Sequence, residues 1–220
     1  MTLKMIVALA VLAAVTVFVG AQALSDDQKE PGMQMPSQEE MKEMMDKMTK
    51  AMTPGEHHRA LDRFVGQWDT TVRVWMAGPM MPPMESKGKS NVKWVLNKHF
   101  LMEEASWMMM MPDPSNMTQM KEVECQGIGL TGYDNYKNMY TASWADNMST
   151  HLLTMRGAMA PSGKMFTYYG EMDEPMLDIA GRMVKYVTEV IDDDKHVFRI
   201  YDLHAGDDYK VLEISYERGG

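Results

Sequence analysis

The chain predicts an all-β protein: a single antiparallel up-and-down barrel of about ten strands, with one or two short N-terminal helices. Three observations predict it. Between Gly66 and Arg218, ten segments alternate apolar and polar residues, the period-two pattern of half-buried strands. Most connections between them are short and carry turn residues, among them Asn97-Lys98, Pro161-Ser162-Gly163, Asp192-Asp193-Asp194 and Ala205-Gly206-Asp207-Asp208. The ladder opens on Gly66-Gln67-Trp68, and an antiparallel sheet of this many strands hides its edges by closing on itself.

Residues 1–23 read as a signal peptide. Lys4 is their only charge, Met5 to Val19 is apolar, and Ala21-Gln22-Ala23 has the small-x-small form of a cleavage site. The apolar run falls short of the ~20 residues a membrane span needs, so the expectation is export to the periplasm or beyond, with no stable membrane association after cleavage. Residues 24–55 read as a linker and a Met-rich helix. Pro31, Gly32 and Pro36 break the linker; Ser37 and Glu40 then form a capping box opening a helix to about Ala51, with Met41, Met44, Met45, Met48 and Met52 as its apolar stripe. Thr53 is placed as the cap of a second helix, in which His57, Leu61 and Phe64 share a face suited to closing one barrel end.

The barrel domain spans 56–220. Its strands are expected near 66–76, 85–96, 99–108, 122–133, 137–146, 148–158, 164–173, 181–191, 196–203 and 209–218, with Pro- and Met-rich loops at 77–84 and 109–121. Acidic residues outnumber basic ones 31 to 22, giving a net charge of −9. Such a surface repels phosphate backbones, so nucleic acid is not an expected partner. Cys125 is the sole cysteine, which excludes an intramolecular disulfide; at strand spacing it reads as a small buried hydrophobe.

No catalytic constellation stands out. There is no Gly-x-Ser-x-Gly elbow, and Asp192 to Asp194 read as a solvated turn. Six histidines lack metal-ligand spacing; His99 and His151, placed on strands, are candidates for the lumen, and haem held through a single histidine is one conceivable occupant. Twenty-eight methionines are the strangest count. Thioethers suit Cu(I) or Ag(I), which makes Met80, Met81, Met84, Met108, Met109, Met110 and Met111 a candidate soft-metal set. The plainer reading is flexible apolar filler, or reversible oxidant scavenging in linker and loops.

The run Gly127-Ile128-Gly129, then Gly132-Tyr133-Asp134-Asn135, then Tyr140, Trp144 and Asp146 resembles the exported bacterial family of domain of unknown function 1579. His58, Leu61 and Gly66-Gln67-Trp68 upstream, and Tyr216-Glu217-Arg218 at the end, extend the resemblance over about 56–218. It implies a calycin-like barrel and brings no activity or ligand with it. The chain departs at Asn97-Lys98-His99-Phe100-Leu101, where the family usually has two glycines and an arginine before Phe-Leu; the methionine surplus is not a family trait either. In lipocalin-type barrels a Gly-x-Trp packs its indole near a late arginine, and Trp68 and Arg218 occupy comparable places as a structural pair. The leading expectation is a non-catalytic barrel binding a small apolar or amphipathic ligand, with Tyr140, Trp144, His151, Tyr168, Tyr186 and Tyr201 as lumen candidates and no identified cofactor. The alternatives are soft-metal binding through the Met-rich loops, and a structural or partner-binding domain with Met108 to Met111 as its exposed patch.

Overall fold

The computed structural model describes residues 36–219, apart from 77, 79, 176 and 177 and the side chain of Met117. The signal-peptide and linker readings therefore lie outside the described residues, save for Pro36. Two compact units divide the chain, Met1–Asp46 and Lys47–Gly220. In the first, the described residues open helix α1 (Gln38–Met52) with a capping box: the Ser37 amide donates to Glu40 Oε2 at 2.7 Å, and the Glu40 amide donates to Ser37 Oγ at 3.2 Å.

In the second unit, Thr53 does not cap a new helix. Its hydroxyl donates to the Thr49 carbonyl at 2.7 Å and closes the last turn of α1. Gly55 precedes helix α2 (Glu56–Arg59) instead, and its amide donates to His58 Nδ1 at 3.1 Å. A 3-10 turn, Asp62–Phe64, carries the chain into the sheet. This segment is the barrel's plug: Leu61 is fully buried, and Phe64 packs edge-on against Phe166 at 5.4 Å.

The strands are β1 (Gly66–Val74), β2 (Met84–Val95), β3 (Phe100–Asp113), β4 (Asn116–Asp134), β5 (Met139–Asp146), β6 (Leu153–Met159), β7 (Met165–Glu174), β8 (Ile179–Val190), β9 (Lys195–Asp202) and β10 (Lys210–Arg218). Each pairs antiparallel with its sequence neighbours, and β10 returns to β1 to close the barrel. Register fixes which side chains enter. Trp68 lies opposite Arg218 and Ser90, Thr70 opposite Tyr216, and Tyr216 opposite His196. The inward rows are mostly apolar and aromatic, with a few polar groups such as Ser90, His196 and Asp202; the outward rows carry ion pairs such as Asp69–Lys89, Lys93–Glu104 and Lys195–Glu217.

The floor is built around the closing seam. The Arg218 guanidinium sits 4.3 Å from the centroid of the Trp68 ring. It also donates to the carbonyls of Val65 (3.2 Å), Arg63 (3.4 Å) and Asp193 (2.8 Å), and to Asp194 Oδ1 at 3.0 Å. Trp68 Nε1 donates to the Phe64 carbonyl at 2.9 Å. One side chain thus ties the last strand, the β8–β9 turn and the plug to the first strand.

Two stretches depart from the sequence reading. Residues 109–121 are not a loop: β3 and β4 run on as a paired ribbon, with Met108 opposite Glu124 and Met111 opposite Lys121, turning at Pro114-Ser115. Beyond Trp107 and Gly127 these strands have no second strand partner among the described residues, and Pro112 fits there because no further amide bond is demanded of it. Residues 148–152 are not strand either. Asp146 Oδ1 accepts the Met148 amide and Ser149 Oγ the His151 amide, so side chains satisfy the backbone locally and the turn outcompetes the ladder.

Trp68→Ala removes the centre of this floor and should lower stability by about 3–5 kcal/mol in urea unfolding, as large aromatic deletions in cores do. A loss below about 1 kcal/mol would mean the seam does not rest on this ring.

Candidate functional site

A cavity of about 120 Å³ lies inside the barrel above the plug. Leu61, Phe64, Val92, Leu101, Phe166 and Phe198 give it apolar walls, and Glu103, Tyr168, His196 and Tyr216 bring polar groups into it. These come from the plug and from β2, β3, β7, β9 and β10, so only the closed barrel assembles them.

Glu103 is its centre. Oε1 accepts the Ser90 hydroxyl at 2.7 Å and the Tyr216 hydroxyl at 3.2 Å. Oε2 has no hydrogen-bonding partner among the described residues, nor does the carboxyl take part in an ion pair there. Burial pushes the Glu103 pKa above the ordinary carboxylate range, against the two hydroxyl bonds that lower it. Burial, with Glu103 beside it, raises Tyr216 well above the usual phenol range. Burial also raises Tyr168, whose hydroxyl makes no hydrogen bond among the described residues.

His196 is held by rings rather than hydrogen bonds. It stacks on Tyr216 at 4.3 Å and meets Trp68 edge-on at 4.5 Å and Phe64 at 5.1 Å. Burial first, and the Arg218 charge second, lower its pKa to about 3, so it is neutral at physiological pH. Nearer the other end, the inward Arg182 is paired with Asp202 in two contacts, Nη2–Oδ2 at 2.9 Å and Nε–Oδ1 at 3.1 Å.

The sequence-derived lumen candidates separate. Tyr140, Trp144, Tyr168 and Tyr186 point inward, but only Tyr168 lines the cavity. Tyr140 is fixed over the plug, donating to the His57 carbonyl at 3.1 Å, and burial pushes its pKa up to about 12. Tyr186 is buried with an unpartnered hydroxyl and a pKa likewise pushed up to about 12. Tyr201 lies on the outer face, because Ile200 and Asp202 take the inward phase; Lys185 Nζ lies 4.6 Å from its ring. His151 is in the turn before β6, with Nδ1 3.0 Å from Asp173 Oδ2. His99 also sits in a turn, bonded to the Leu96 and Met52 carbonyls.

The candidate methionines lie on two separate stretches of the chain. Met80 and Met81 are exposed ahead of β2, and Met84 begins that strand. Met108 to Met111 lie on β3, where the period of two sends Met108 and Met110 to one face and Met109 and Met111 to the other. No group of three or more His, Cys, Asp or Glu placed to hold a metal occurs among the described residues. Nor does the lumen fit haem: that macrocycle belongs among ligands needing roughly 300–1,000 Å³, and His196, which lines the lumen, is stacked against Tyr216.

Glu103, Ser90, His196 and Tyr216 are not among the sequence-derived lumen candidates, although Tyr216 belongs to the stretch that carries the family resemblance. The signal was present at Glu103, which occupies the inward phase of Leu101-x-Glu103-x-Ala105-x-Trp107. Its neighbour Glu104 pairs outward with Lys93, and two adjacent glutamates hide which of them enters.

The most specific sequence motif serves shape. Trp144 lies flat across β4, and a Cβ at Gly127 would fall inside its ring; its Nε1 donates to Asp146 Oδ2 at 3.0 Å. A Cβ at Gly132 would meet the Phe100 ring at 2.6 Å. Tyr133 stacks on His57 at 4.2 Å, Asp134 Oδ1 accepts the Tyr136 and Lys137 amides, and Asn135 Nδ2 donates to the Lys50, Ala51 and Thr53 carbonyls at the end of α1.

The fold and this site define a closed ten-stranded antiparallel barrel with a small, partly polar lumen. The chain belongs to the family described as protein of unknown function (DUF1579), whose model matches residues 53–218. Among solved structures it is similar to Rv2717c from M. tuberculosis, with 13% identity, a TM-score of 0.51, and coverage of 76% of this chain and 100% of that one. A redesigned β-barrel also matches, with 12% identity, a TM-score of 0.36, and coverage of 74% and 96%. No curated protein matches.

His196 makes stability pH-dependent with a definite sign. Its folded pKa of about 3 lies below that of the unfolded chain, so the unfolded chain takes up the proton first. Its stabilising contribution is complete above about pH 6.5 and falls by about 1.4 kcal/mol per unit toward pH 3. The raised Glu103 acts oppositely, being lost as pH rises from the unfolded carboxylate pKa to its own. Urea unfolding at pH 7 and pH 5 should therefore show His196→Phe losing about 2 kcal/mol less than wild type over that interval. Equal losses would place the imidazole in contact with water.

Proposed function

We propose that this barrel is an exported binding protein that holds a small amphipathic molecule in its lumen and does no covalent chemistry on it. The observation carrying this reading is a cavity of about 120 Å³, mostly apolar, whose lining includes Glu103 and Tyr168, with Glu103 Oε2 and the Tyr168 hydroxyl unpartnered among the described residues. Buried polar groups ordinarily find partners, and a cavity with a few placed polar groups among apolar walls is the usual form of a ligand site. Size limits the occupant. An engineered apolar cavity of about 150 Å³ holds benzene, so the ligand here has about six non-hydrogen atoms. Drug-sized ligands are too large.

The export half of this reading rests on residues 1–23, and the ion-paired outer face suits a barrel surrounded by water rather than lipid. Among the described residues no helix is long and apolar enough to cross a membrane.

Native mass spectrometry of protein purified from its own host should show one small organic molecule per chain, released on unfolding. A chain carrying nothing, with a lumen that takes up no small amphipathic probe, would remove the binding role. N-terminal sequencing of the same material should begin at Leu24; a product retaining Met1 would reject export.

A further inference from the structure

Resting on that lumen reading, we propose that the ligand is a small organic cation, a primary amine on a short apolar body, paired with Glu103. The case begins with what the carboxyl lacks. A buried charge is ordinarily paired with its opposite or neutralised. The inward Asp202 follows that rule through Arg182. Glu103 has two hydroxyl donors on one oxygen, no partner on the other among the described residues, and no Lys or Arg among the residues lining its cavity. A proton or a bound cation is what remains to balance it.

The walls select the same chemistry. A primary ammonium has three N–H donors. Around the cavity, acceptors stand available in Glu103 Oε2, the Tyr168 hydroxyl and the neutral imidazole of His196. Phe64, Phe166 and Phe198 add aromatic rings, whose faces attract cations. An anionic ligand would meet an acidic group and no lining cation, and a hydrocarbon would leave Oε2 without a partner. The net charge of −9 favours the approach of cations.

The probes are n-butylamine and n-butanol, alike in shape and different in charge, titrated at pH 8 into the full barrel domain with its N-terminal segment. Binding is read from the methyl shifts of Val92 and Leu101, so amine held on the acidic surface does not register. The expected result is butylamine bound about tenfold or more tighter than butanol, an advantage Glu103→Gln abolishes while leaving butanol within about twofold. Should Glu103→Gln fail to fold, the wild-type comparison of amine with alcohol decides alone. Butanol bound as well as butylamine would overturn the cation and leave the lumen site standing. Shifts from neither probe would overturn both.

Discussion

The β1–β10 seam is the constraint on which the rest depends. Nine of the pairings join neighbours in sequence and need only hairpins, but the tenth brings Trp68 to Arg218 across the whole barrel. Such a long-range closure is entropically the costliest contact in the fold. The chain concentrates its directional interactions there. Arg218 covers the indole, a contact worth about 0.5–2 kcal/mol, and spends its remaining donors on carbonyls of the plug and the β8–β9 turn. The indole in turn bonds the plug through the Phe64 carbonyl. Closure and plugging are therefore one event, and they also bring His196 and Tyr216 to the cavity.

Much of the architecture is legible in the sequence because barrel strands repeat one simple rule. Alternation gives ten strands, and the turn residues separate them. The rule fails where local competition decides. Met108 to Met111 with Pro112 look like loop because nothing in their composition favours a pleat, yet an antiparallel partner of equal length at Met120 to Glu124 carries them on as ribbon. At Asn147 to His151 the reverse holds: alternation continues in the letters, but Asp146 and Ser149 bond the backbone locally. The turn at Leu96, Asn97 and Lys98 is a further case. All three sit at positive φ, 50°, 55° and 65°, a conformation that costs residues other than glycine about 1–2 kcal/mol each. His99 helps hold it through the Leu96 and Met52 carbonyls.

The site was far less legible, and for a physical reason. Its polar groups are single residues from separate strands, each ordinary in its own segment. Ser90 lies in a Lys-Ser-Asn run, His196 beside a turn, and Glu103 beside a second glutamate. Only the register, in which Glu103 lies opposite Val92 and Gly129, shows the carboxyl among apolar neighbours. The letters that do stand out, from Gly127 to Asp146, hold the barrel's shape: glycines clear space for Trp144 and Phe100, and Asn135 ties down the end of α1.

That division bears on how such a barrel functions. The framework needs the motif glycines, the tryptophans and the seam; it does not need a carboxyl at 103. A well-packed apolar side chain there would remove the desolvation cost of a buried acid, since replacing buried charge by hydrophobic bulk is often neutral or stabilising. Ser90 and Tyr216 reduce that cost by bonding Oε1, and both do so from the same side of the carboxyl. What they leave is a second oxygen with no partner among the described residues, on a side chain that lines a cavity of about 120 Å³. Folding alone gives no reason for that space and that acceptor to coincide; a small donor-bearing ligand gives a reason for both.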